Sequence, residues 1–441
     1  MNHIYNKNKQ TLGEITNDNI DDEAQYQHGM PLRAQYTVKK SIHDANIYND
    51  FNIFDKNSKQ QIKNIDYNDP GIYQDNNYAD ISSSMVNISV QIQPKIICIA
   101  GIEKLAYNLF SSLTEIMYNN SYMTNSLGIY LFFATLFIFS TDQTEIELKN
   151  YFNFPKKEQI HKGLMSIINE FNPITEMFKF KNLIIIGNDV PYNHNNYEYF
   201  KDFCNTIIVN IKKPEYEAQR INSIIDTIMD YPMRKSLVPE NIDNLQIMCL
   251  NLLLIRPIWQ TPFDSIIQDL FYTSTETKNI EYLYSVEKTC SYFEDNLLQI
   301  IELKCIKNSL AMGIILSKTN SEIQYDEVKL KYYISQFKDI ILDKVKIPKF
   351  KQNLKMRYTN ILKNSGLNSV FIKIIAPDLF PESGSLFDVV QNVTIVIDNI
   401  AIQEIINKGH KTIKNFIANK QFIYYFRFVP LNIIVLFGYY C

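Results

Sequence analysis

The sequence is short of charge imbalance. Its 44 Lys and Arg stand against 47 Asp and Glu, for a formal net charge of −3. A nucleic-acid binder would carry a basic stripe or patch, so no nucleic-acid partner is expected. Cysteine pairs are also missing. The six cysteines (Cys98, Cys204, Cys249, Cys290, Cys305, Cys441) lie far apart, with no C-x-x-C spacing and no His-x-His nearby. Such spacing holds no zinc framework, and no metal or other cofactor is expected. Cys98, Cys249 and Cys305 sit inside apolar runs and read as small, reduced hydrophobes. Long apolar runs are missing as well. The richest cover residues 130–139 and 422–440, and the second is broken by Arg427 and Pro430. Neither reaches the roughly 18 residues of a membrane span, so no membrane role is expected. The opening MNHIYNKNKQ is polar, with no signal-like apolar stretch behind it, which predicts an intracellular protein, association with a virion included, with secretion the alternative. Phosphate-loop, dinucleotide, H-E-x-x-H and G-x-S-x-G patterns are absent, and no enzyme is expected. His194 and His410 read as solvated surface.

Only 12 glycines occur, against heavy use of Asn, Ile, Lys and Tyr. That balance suggests an AT-rich genome, a virus among the candidates. What is present divides the chain in two. Residues 1–95 mix Asn, Asp, Gln and Tyr without a sustained helical or strand period, and read as a poorly ordered N-terminal extension. Its tyrosines are a candidate contact surface. Order is expected over residues 96–441. Leu105, Leu109, Leu113, Ile116 and Met117 recur at helical spacing, as do Ile221, Ile224, Ile225 and Ile228 ahead of Pro232. The run LQIMCLNLLLI at 245–255 predicts a strand covered on both faces, and strand-like runs dominate after it. Helices first and strands later is an α+β signature.

Several local patterns resemble those of the serpin family, in the family's order. NLLLIRPIWQTPFD (251–264) matches a motif built on Asn251, Trp259, Pro262, Phe263 and Asp264, and the chain's single tryptophan falls on the family's tryptophan. INSIIDTIMDYPMRKSLVP, IELKCIKNSLAMGIIL and the segment holding Phe350 follow in register. The C-terminal strand pair with Phe422 and Gly438 completes the match. The resemblance implies helices packed on three β-sheets with a large central sheet. It also implies a mobile loop which, once cut by a target protease, enters the central sheet as a new strand.

Two departures bear on that movement. The family's small-residue hinge falls on Asn399, Ile400, Ala401, Ile402, Gln403 and Glu404, of which only Ala401 is small. Strand alternation would bury Glu404, Ile406 and Lys408 together on insertion, and an unpaired charge in a dry sheet costs on the order of several kcal/mol. The isoleucine spacing, with Asp398 as N-cap and Gly409 as C-cap, predicts instead a short helix over about 400–408. The bait region falls on Lys411, Lys414 and Asn415, directly ahead of the next strand, so the segment after the cut is missing. The second departure lies in residues 122–144. There Asn125, Ser126 and Gly128 stand at the family's first small positions, and Tyr130, Leu131 and Phe132 replace the later ones. The expected function is a serpin-like binding or structural module without loop insertion. The alternative is an active inhibitor of a serine or cysteine protease, with a short bait around Lys411–Asn415. A protease or another protein is the expected partner; oligomeric state is left open.

Overall fold

The computed structural model describes residues 78–441, except 118–119, 199–200, 202, 320–326 and 406–408. Of the expected extension, residues 1–77 lie outside the described residues; from Tyr78 the chain is helical. Helix α1 (Tyr78–Ile116) buries Cys98, Ile102, Leu105, Ala106, Leu109, Phe110 and Leu113; of the expected stripe, Leu105, Leu109 and Leu113 are buried, whereas Ile116 at the helix end is exposed and Met117 just past it is half-buried. By length and composition alone, Pro94–Ile116 could cross a membrane. Its stripe is instead packed into the protein core.

Helix α2 (Ser126–Phe139) is apolar on every side and is buried from Ser126 to Phe137. It is started by Asn125, whose side chain accepts from the Leu127 N–H at 3.1 Å, an N-cap that satisfies one of the helix's orphan donors. Helices α3 (Asp142–Phe152) and α4 (Lys157–Phe171) pack around it. Helix α5 (Pro214–Met229) opens on a proline and buries Ile221, Ile225 and Met229. Ile224 and Ile228, expected on the same stripe, are only half-buried at its margin.

Fifteen strands follow from the runs noted above, among the described residues. One sheet holds β2 (Phe178–Gly187), β3 (Asn205–Val209), β4 (Ile247–Ile255), β10 (Phe350–Arg357) and β11 (Leu386–Ile397), in the order β10-β11-β4-β2-β3. Every residue of β4 is buried, because α2 covers one face of this sheet and α5 the other. Along β4 the side chains alternate accordingly: Cys249, Leu253 and Ile255 join the main core, while Met248, Leu250, Leu252 and Leu254 join the cluster under α5.

The second sheet has ten strands. Its path starts with β1 (Tyr122–Thr124), β15 (Ile433–Tyr440), β14 (Phe422–Phe428), β8 (Leu310–Ser317) and β7 (Leu298–Lys304). It continues through β6 (Thr277–Glu294), β9 (Lys338–Pro348) and β12 (His410–Lys411), with β5 (Ser265–Tyr272) beside β6 and β13 (Asn415–Ile417) beside β9. The α+β architecture with a covered central sheet is as expected, but among the described residues the strands form two sheets where three were expected. The cause is β6, 18 residues long, which pairs with β5 and β9 along most of its length and with β7 at its end. One continuous strand thus fuses two expected sheets.

Candidate functional site: seam, hinge and loop

At the centre of the five-stranded sheet β4 runs parallel to β11, paired from Leu386/Ile247 to Ile395/Ile255. A strand entering this sheet as the resemblance implies would have to part that seam. Mid-seam, Gln391 lies opposite Asn251, and Asn251 lies opposite Asn182 of β2. These three polar residues form a row across three strands, each no more than 1% exposed. Buried amides of this kind are costly unless paired, and the start of α2 pairs them. The Asn125 N–H donates to Gln391 Oε1 at 3.1 Å, and the Gln391 amide donates back to the Asn125 carbonyl. Asn125 Nδ2 donates to Asn251 Oδ1 at 3.1 Å, Asn251 Nδ2 to Asn182 Oδ1 at 2.6 Å, and Asn182 Nδ2 to the Gly128 carbonyl at 2.9 Å. Asn125 therefore bonds both strands of the seam. Gly128 has to be glycine, since a Cβ there would lie 1.7 Å from Asn251 Nδ2.

The opposite face of the seam is also fastened. Asn392 Nδ2 of β11 donates to the Arg234 carbonyl and to Ser236 Oγ, both at 2.6 Å. Asn222 of α5 in turn accepts from the Ser236 and Leu237 N–H groups at 2.9 and 3.1 Å. A strap over residues 232–238 thus ties β11 to α5.

Past β11 the chain runs into the hinge. Trp259, 1% exposed, donates its indole N–H to the Asp398 carbonyl at 2.7 Å. Its own backbone N–H donates to the Ile400 carbonyl at 2.8 Å, and its carbonyl accepts from Ile402 at 3.0 Å. The Glu404 N–H follows onto the Gln260 carbonyl at 2.8 Å, and the Glu404 carboxylate accepts from the Lys307 N–H at 2.9 Å. Asn399 exchanges two bonds with the Phe263 backbone, at 2.8 and 2.9 Å. Phe263 meets the indole edge-on at 6.1 Å between centroids. The Lys288 ammonium lies 4.0 Å from the centre of the Phe263 ring, and burial lowers that lysine to about 8.

The helix expected over 400–408 is therefore corrected for its described part. Residues 400–405 are extended, and 406–408 lie outside the described residues. Bonds at Ile400, Ile402 and Glu404 recur every second residue, the period of a strand, and are made to a neighbouring segment. A single turn of β-branched residues is a weak helix, and a preformed edge with free donors and acceptors outcompetes it. The expected joint burial of Glu404, Ile406 and Lys408 involves two residues outside the described set. Ala401 is half-buried beside Trp259, Gln403 is exposed, and Ile405 is fully exposed.

The loop returns at Gly409, where a Cβ would lie 2.0 Å from the Asp339 carbonyl. From His410 the chain runs parallel to β9: His410 and Lys411 opposite Ile340 and Ile341, then Asn415, Phe416 and Ile417 opposite Lys344, Val345 and Lys346. Of the residues expected as bait, Lys411 and Asn415 thus stand in edge strands, and Lys414 lies between the two strands. Lys411 pairs with Glu287, and Lys414 with Glu294. The ammonium groups of Lys318 and Lys414 hold the Glu294 carboxyl down at about 2.

The motif residues are structural anchors. Asn251 belongs to the seam and Trp259 and Phe263 to the hinge, while Phe350 and Phe422 both pack on Tyr440, at 4.6 and 5.2 Å. Gly438 pairs with Met123 and Tyr424. Sequence reading missed Gln391, Asn182, Asn392 and Lys288. The available signal was a polar residue inside an otherwise apolar strand run.

Comparisons with known proteins bear on the family and the fold. Residues 100–441 match the model of the serpin (serine protease inhibitor) family. An uncharacterized serpin-like protein of Acanthamoeba polyphaga mimivirus is 22% identical over 342 residues, 69% of this chain and 80% of that one. One from Methanosarcina acetivorans is 26% identical over 246 residues, 52% of this chain and 57% of that one. Among solved structures, maspin superposes with a TM-score of 0.70 at 18% identity, covering 78% of this chain and 98% of maspin. Uncleaved ovalbumin gives 0.69 at 17%, with the same coverage. With the fold, the seam and the hinge tryptophan in place, the chain belongs to the serpin family.

Proposed function

We propose that this serpin is a binding or structural module and does not inhibit proteases by loop insertion. One observation carries the reading: both roots of the loop are bonded to the body. The first is held to Trp259 and Gln260 as far as Glu404, and the second to β9 from His410. Only residues 405–409 separate the two. Cleavage near Lys411–Asn415 would first require β12 and β13 to be stripped from β9. Insertion would then require the Asn125 bonds to Gln391 and Asn251 to break. Backbone bonds lost at the seam would be remade with the entering strand, so side chains set the balance. Glu404 and Lys408 oppose entry, each at a cost on the order of several kcal/mol unless they pair with one another. The partner is proposed to be a protein docked without being trapped. The mimivirus relative supports a viral source for the chain.

A panel of serine and cysteine proteases tests this. The expected result is cleavage or indifference, with no detergent-stable covalent complex. A loop nicked between Glu404 and His410 is expected to leave the melting temperature within a few degrees of the intact value. A covalent complex, or a large rise in melting temperature on nicking, would refute the proposal.

A further inference from the structure

Cations gather where α5 ends. Tyr231, two residues past the helix, packs its ring on the apolar cluster under α5. The Arg256 guanidinium lies over that ring at 5.8 Å from its centre, and the Lys351 ammonium at 5.0 Å. The sheet sets this up. Ile255 lies opposite Ile395 and Lys351 opposite Val396, so one step beyond β4 Arg256 stands level with Val396 and Lys351. Strand alternation turns both cations to the face that carries Leu254 and α5. Lys179 of β2, opposite Leu254, reaches the same place and donates to the Met229 carbonyl at 3.0 Å. Arg234 and Lys235 follow in the strap. We propose that this cluster is a binding site for an oligophosphate chain, free or as the tail of a nucleotide.

Charge, open donors and spacing each point to that class. Among the described residues none of the five cations makes an ion pair, although Glu176, Asp226 and Asp230 lie close to them along the chain. Asp226 spends one oxygen on the Met233 N–H at 2.9 Å. Arg256 and Lys351 are exposed, and their side chains make no hydrogen bond among the described residues, nor does the Tyr231 hydroxyl. The whole guanidinium fork and all the ammonium hydrogens are therefore open to a ligand. A ring face attracts each cation, but two cations at one ring repel each other. An anion between them removes that repulsion. Their Cα atoms stand two strand spacings apart, roughly 10 Å, so a chain of phosphates reaches both cations where a single phosphate serves one. Arginine also takes phosphate oxygens two at a time. Arg256 continues β4 and Lys351 lies in β10, with β11 between them. A bridging anion would clasp the hinge end of the seam from both sides.

Calorimetric titration of the full chain with tripolyphosphate, ATP and orthophosphate, at matched low ionic strength, tests the site. Tripolyphosphate is expected to saturate below about 1 mM, with orthophosphate at least about tenfold weaker and both weakening as salt rises. Arg256→Gln and Lys351→Gln are each expected to cost tripolyphosphate about tenfold. Both side chains are exposed, so neither change removes packing the fold depends on. Lys212→Gln, an exposed cation near the other end of α5, is expected to change affinity by less than about twofold. Hydrogen exchange along β4 and β11 is expected to slow when tripolyphosphate is bound. ATP binding no tighter than tripolyphosphate assigns the site to a free phosphate chain, and tighter binding assigns it to a nucleotide. Failure of tripolyphosphate to saturate, orthophosphate binding as well, unchanged affinity in either Arg256→Gln or Lys351→Gln, or an equal loss in Lys212→Gln overturns the proposal. Binding is read without any protease, so it stands or falls separately from the non-inhibitory reading.

Discussion

The two roots of the loop are fastened by different chemistry. The first is clamped by a buried indole, three backbone bonds to a body segment and an asparagine that bonds Phe263 twice. The second lies on a sheet edge, where its lysines pair with carboxylates in water. Bonds to a buried aromatic anchor depend little on salt, whereas exposed ion pairs contribute about 0–1 kcal/mol each and weaken as salt rises. The contrast teaches which end yields first. A cut chain would fray from β12 and β13 while the hinge stays in place, the reverse of the order that insertion requires.

The largest expected effect is at the hinge. Trp259→Ala should cost about 3–5 kcal/mol in chemical denaturation and release the Ile402 and Glu404 amides to hydrogen exchange. If those amides stay protected, the clamp does not depend on the indole. Next is the seam. Gln391→Ala leaves Asn125 with a buried, unsatisfied N–H and carbonyl, and should cost about 1–3 kcal/mol with faster exchange along β4 and β11. A change confined to α2 would mean that the bonds cap the helix and do nothing for the seam. Gly409→Ala should cost about 1–3 kcal/mol by driving a methyl into β9. Its exchange signature should stay within His410–Ile417, which separates the second root from the first.

The smallest effect is at the edge pairs. Lys414→Ala is expected to cost less than about 1 kcal/mol. Glu294 is held near 2, below its ordinary 4.5, so its contribution is present above about pH 4.5 and is lost as pH falls through about 2. Protection of the β13 amides should decline over that window, and less so in Glu294→Gln. Hinge amides losing protection over the same window would erase the distinction between the roots.

The fold was legible because its signals were covalently local. A continuous apolar run marked β4, the isoleucine spacing marked α5, and the lone tryptophan fixed the register of everything around it. The loop was misread for a related reason. Isoleucines at helical spacing carry little weight when the deciding partners, Trp259 and Gln260, lie some 140 positions back along the chain. Lys288 was passed over because nothing next to it in sequence says that Thr261 and Pro262 will close on its ammonium. Gln391 could have been suspected from its setting in LFDVVQNVTIVI, but its partner Asn125 lies at the far end of the domain sequence. Contacts made across large sequence separations, between residues of modest individual character, are where a single sequence says least.

Strand β6 has a mechanical consequence. At 18 residues it spans roughly 60 Å if fully extended, and it is a rail along which the loop's return strand, by way of β9, is hydrogen-bonded to the C-terminal hairpins, by way of β7. A tug on the edge at Lys411 would be taken up as shear along that rail and spread into the most deeply packed part of the molecule. The protein is thus built so that strain applied at the loop is borne by the body as a whole.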